Sequence, residues 1–109
     1  MFKKLLSLVF ISLAAVPAYA ETIEVVNLTV KDGFFTPTEI VGPANAKFKV
    51  VVKNEGSTAE EFESTELNRE KVIAPGKSVT VFLGPLPAGT YKFEGEFHPK
   101  TAQGKLIIR

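Results

Sequence analysis

The chain contains no cysteine and no tryptophan, a single histidine (His98) and a single methionine, Met1. The lack of cysteine excludes disulfides, the covalent staples that persist in exported proteins. It also removes the thiolate as a metal ligand, and the thioether leaves with Met1 if the first residues are cleaved. Only carboxylates and one imidazole then remain to hold a metal. An excess of either charge is lacking too. There are 13 Lys and Arg against 12 Asp and Glu, and setting aside Lys3 and Lys4 with the leader described below leaves −1. A balance so close to neutral gives no footing for nucleic acid or an anionic lipid surface. No Ser/His/Asp constellation with recognisable context is present, which leaves a hydrolase without support.

One long apolar run exists. Lys3 and Lys4 precede the segment Leu5–Val16, and Ala18-Tyr19-Ala20 follows as an A-x-A cleavage signal. These are the three parts of a secretory leader. A membrane-spanning helix needs about 20 apolar residues, so no membrane insertion is expected. Residues 1–20 are therefore expected to be a signal peptide and residues 21–109 one exported, periplasmic domain. No cysteine follows the cleavage signal, so no lipid anchor is expected. At that length roughly 60–65% of the unfolded chain's surface can be buried, and the core must be efficient.

Short alternating segments fill the rest. Ile23–Val30 places Val26, Leu28 and Val30 on one face, Lys47–Lys53 does so with Phe48, Val50 and Val52, and Ser78–Leu83 with Val79, Val81 and Leu83. Glu39–Val41, between Pro37 and Pro43, reads as an edge strand. Ala59–Ser64 and Lys71–Ile73 read as extended, and the polar stretch Thr65–Glu70 as one helical turn. Gly, Pro and Asn punctuate the joins. Seven or eight short strands without an amphipathic helix predict an all-β sandwich or small barrel. Phe34, Phe35, Phe48, Phe62, Phe93 and Tyr91 are read as its core.

The stretch Tyr91–Arg109 is a hairpin whose tip gathers Glu94 and Glu96 with His98, and Glu60, Glu61 and Glu63 form a second acidic group. Crowded carboxylates repel one another unless a cation or protons intervene, so a metal or proton site is indicated. Plainer readings stand beside this one. A loop histidine is commonly solvated, Glu61 and Glu63 have the parity of an outward face that needs charge for solubility, and Glu70-Lys71 reads as a surface ion pair.

Two segments carry a family resemblance. Lys47–Ser64 (K-F-K-V-V-V-K-N-E-G-S-T-A-E-E-F-E-S) and Tyr91–Ile108 (Y-K-F-E-G-E-F-H-P-K-T-A-Q-G-K-L-I-I) resemble the cupredoxin superfamily, which implies a Greek-key β-sandwich. Carried across that resemblance, the family's first copper-binding histidine falls on Glu60 and its second on His98. Its cysteine falls on Gly95 and its methionine on Thr101. Blue copper depends on the thiolate, so the departures exclude an ordinary blue-copper protein. Gly95 reads as space opened where sulfur would sit. Ala59–Ser64, Leu67, Glu70–Val72, Gly84–Leu86 and Gly89–His98 also resemble the cupredoxin-like proteins encoded beside bacterial iron permeases. They are similar as well to the cupredoxin domain of EfeO-type iron-uptake proteins.

That resemblance implies a periplasmic binding protein for Cu(II) and/or Fe(II)/Fe(III) that supports iron uptake, with ferrous iron oxidation as a further step. An iron permease and a periplasmic iron-binding component are the implied partners. His98 and Glu60 are the first expected ligands and Glu96 and Glu61 the next, because strand 60–63 and loop 95–98 leave such a sandwich at one pole. Glu63 would serve a second site on the outer face, with Glu94 or Glu96. The alternative is a metal-free interaction module whose vestigial site docks a transporter, with Phe97 as a contact.

Overall fold

The structure, a computed structural model, describes residues 22–109. The leader expected over residues 1–20 lies outside them. Nine strands make up the described fold: β1 (Glu24–Lys31), β2 (Phe34–Thr36), β3 (Glu39–Gly42), β4 (Phe48–Asn54), β5 (Glu60–Ser64), β6 (Arg69–Ile73), β7 (Ser78–Leu83), β8 (Gly89–Glu94) and β9 (Gln103–Ile108). One sheet runs in the order β2-β1-β4-β7 and the other β3-β9-β8-β5-β6. The parallel pairs β1–β4 and β3–β9 require the chain to cross between sheets, as a Greek-key sandwich does. No helix among the described residues is long and apolar enough to cross a membrane.

Side chains of period two build the core. Phe48, Val50 and Val52 of β4 point inward, with Leu28 and Val30 of β1, Val81 and Leu83 of β7, and Leu106 and Ile108 of β9. At one end, Phe35, Phe62 and Phe93 meet. Phe35 stands edge-on to Phe93 at 5.1 Å, and Phe62 stacks on Phe93 at 5.0 Å. These rings come from β2, β5 and β8, and they floor the pole where β5 begins and the β8–β9 loop passes.

Three local expectations are corrected. Phe34 is 58% exposed while Phe35 is buried, because adjacent strand residues face opposite ways. Phe34–Thr36 is itself a short strand, the ninth. Residues 65–70 form no helical turn. β5 and β6 are an antiparallel hairpin in register Ser64↔Arg69, closed by Asn68 at φ 51°, a left-handed conformation asparagine tolerates. The expected edge placement of Glu39–Val41 holds, since β3 flanks its sheet.

Candidate metal centre

Glu60 is the first residue of β5 and shares the inward parity of Phe62, so its carboxylate is fully buried. Two hydrogen bonds compensate. The Gly33 N–H donates to Oε1 at 3.2 Å, and Oε2 lies 3.0 Å from His98 Nδ1. An ionised carboxylate only accepts, so with Glu60 ionised this contact calls for the proton on Nδ1. The imidazole remains 40% exposed, so this pair joins the interior to the surface of the pole.

Backbone geometry holds both partners. Gly33 has φ +83°, and a Cβ there would come within 2.9 Å of His98 Cγ. The turn after β1 thus needs glycine twice over: for its left-handed backbone and for the ring packed against it. On the hairpin side, the His98 carbonyl accepts from Thr101 N–H at 3.1 Å and Ala102 N–H at 2.8 Å, and Gly95 N–H bonds the Ala102 carbonyl at 2.8 Å. Asn54, fully buried, ties the loop before β5. Its Nδ2 donates to Thr58 O at 2.8 Å and Ile73 O at 2.9 Å, and its Oδ1 accepts from Gly56 N–H at 2.8 Å.

Gly95 does not open space. A Cβ at that position would lie 2.8 Å from Ala102 Cβ and 3.0 Å from the Glu61 carbonyl oxygen. The loop has closed onto β5, and a thiolate does not fit. Sulfur-ligated copper is therefore incompatible with this pole, whereas the His98 nitrogen and the Glu60 oxygen suit Cu(II) or iron.

The five expected ligands divide into two groups. Glu61 and Glu63 leave β5 on the face opposite Glu60, where they meet Glu96 from the loop and Glu70 from β6. One carboxylate oxygen from each of these four lies within 4.8 Å of the others. Glu61 is only 2% exposed, and its Oε1 has no hydrogen-bond partner among the described residues. Burial and then the Glu96, Glu70 and Glu63 charges push its carboxyl up to about 7, and Glu63 is raised too, by partial burial and then by Glu96. Glu70 was missed as a site residue. The sequence offered one signal, its symmetry with Glu63 about the turn 65–68, which the helical reading hid. Among the described residues Lys53 is the lysine that pairs with a carboxylate, that of Glu55 at 4.0 Å, and Lys71 points to the face away from Glu70. A nearby cleft between β3, β5, β8 and β9 differs in character, since its Glu39, Glu66 and Glu94 are interleaved with Lys92 and Lys105.

Fold and pole together define a cupredoxin-like β-sandwich with a nitrogen–oxygen pair at one end. Residues 4–108 match the profile of the Cupredoxin-like domain, and the chain belongs to that family. A Rickettsia prowazekii protein described as uncharacterised is 41% identical over 83 residues, covering 76% of this chain and 66% of that protein's length. Among solved structures, the metal binding domain of the Streptococcus pneumoniae Cu(I) exporting P-type ATPase CopA is similar at TM-score 0.70 and 12% identity, over 80% of this chain and 86% of that one. The purple cupredoxin of Nitrosopumilus maritimus is similar at TM-score 0.59 and 17% identity, over 79% of this chain and 99% of its own. Reduced auracyanin from Roseiflexus castenholzii gives TM-score 0.63 at 12% identity, over 79% and 96%. At these identities the likeness concerns the fold.

Proposed function

We propose that this protein is an exported, periplasmic metal-binding protein that holds Cu(II) through Glu60 and His98 and supports bacterial iron uptake. The observation that carries the reading is the Glu60–His98 contact at 3.0 Å, with one partner buried and the other reaching solvent. Cu(II) held there would supply one-electron redox chemistry, taking an electron from ferrous iron and becoming Cu(I). The chain's own contribution is positional. Gly33 engages Oε1, so Oε2 is the oxygen turned to the imidazole, and the two atoms that share a proton are the donors a cation takes in its place. The resemblance that Ala59–Ser64 and Gly89–His98 bear to iron-permease-associated proteins is what suggests the iron role, with a permease and a periplasmic iron-binding component as partners.

The test is a calorimetric and EPR titration of the purified protein with Cu(II). One ion per chain is expected, with a tetragonal nitrogen–oxygen signal, no intense blue band, and loss of tight binding in His98→Ala. No uptake of Cu(II) or iron by the wild type removes the proposal. A second reading rests on Phe97, which is 49% exposed beside His98: a metal-independent docking surface for a transporter. It expects Phe97→Ser to abolish iron accumulation in cells while His98→Ala leaves it intact.

A further inference from the structure

We infer that Glu61, Glu63, Glu70 and Glu96 form a second cation site, built from oxygen alone and separate from the Glu60–His98 pair, that takes a hard multivalent ion. Strand register makes this arrangement. Glu63 lies directly opposite Glu70 on β6 and directly opposite Glu94 on β8, so three carboxylates stand abreast on one sheet face. Like charges placed opposite one another across strands destabilise a sheet, and here the sequence does it twice on a single strand. Glu96, projecting from the loop that closes on β5, joins Glu61, Glu63 and Glu70 as the fourth member of the site, which Glu94 borders without entering.

The independent observation is Glu61 itself. An exposed cluster of glutamates is relaxed by water, but Glu61 is 2% exposed and its Oε1 is buried with no donor facing it. Buried acceptors without partners are rare in folded proteins and destabilise them, the more so when charged. The charged groups acting on Glu61 are Glu96, Glu70 and Glu63. Among the described residues no lysine or arginine bonds to the four, and Arg69 spends its guanidinium on the carbonyls of Phe82, Leu67 and Asn68. A cation among the four oxygens would partner the orphan acceptor and relieve the repulsion together. Four carboxylates and no nitrogen or sulfur favour hard ions such as Mn(II), Fe(III) or a lanthanide over Cu(I).

Terbium(III) luminescence, with manganese(II) EPR alongside, tests the site in the exported protein. The wild type is expected to bind one terbium ion per chain. Glu70→Gln and Glu61→Gln are each expected to raise its Kd about tenfold or more, as removal of a charged ligand does. The exposed Glu70→Gln variant is expected to fold as the wild type does, by circular dichroism, and to keep its Cu(II) EPR signal. Absence of bound terbium, or binding equally tight in both variants, overturns the inference and leaves Glu61 holding a proton instead. Loss of copper binding with terbium binding intact would remove the copper reading alone.

Discussion

At the scale of single residues, Gly95 and Gly33 show how much this pole depends on missing side chains. Gly95, onto which the sequence resemblance carries a cysteine, is packed against Ala102 and the Glu61 carbonyl. Gly95→Cys is therefore expected to destabilise the fold by about 1–3 kcal/mol, the usual cost of overpacking, and to produce no blue copper band. Denaturant melts and a visible spectrum of the Cu(II)-loaded variant check both outcomes. Glu60→Leu is expected to cost about 1–3 kcal/mol, because Gly33 N–H loses its acceptor inside the protein. The same variant should abolish tight Cu(II) binding, which a surface glutamate would not do.

At the scale of elements, β5 carries both groups of glutamates. Glu60, Phe62 and Ser64 face in, while Glu61 and Glu63 face the acidic group. Phe62 is fully buried, edge-on to Phe35 and stacked on Phe93. Phe62→Ala is expected to lose about 3–5 kcal/mol, as large-to-small changes of a buried ring do, measured by chemical unfolding. β9 contributes differently from its sequence appearance. Gly104 lies within the strand opposite Phe93, whose ring occupies the space a side chain would need.

At the scale of the whole molecule, the raised Glu61 carboxyl makes metal-free stability depend on pH. Its folded-state value of about 7 lies above the ordinary 4.5 because of burial and then the neighbouring carboxylates. The folded protein thus binds this proton more tightly than the unfolded chain does. That contribution is complete below pH 4.5 and is lost as pH rises through about 7. The melting temperature of the metal-free protein should accordingly fall over this window. Glu61→Gln should flatten the fall, and a bound hard cation should reverse it near neutral pH. Differential scanning calorimetry at several pH values, with and without manganese(II), measures all three.

The sequence alone determined the β-sandwich, because alternation at Phe48–Val52 or Val79–Leu83 leaves a strand only one way to bury its apolar face. It also ruled out thiolate copper, since composition limits ligands whatever the fold. It could not decide which glutamates meet. Parity separated Glu60 from Glu61, yet their partners, His98 with Gly33 and Glu96 with Glu70, lie far off in the chain and were brought to β5 by sheet register and loop closure. Those contacts depend on how two sheets stack and how closely backbones approach, and neither is encoded in any local stretch of residues.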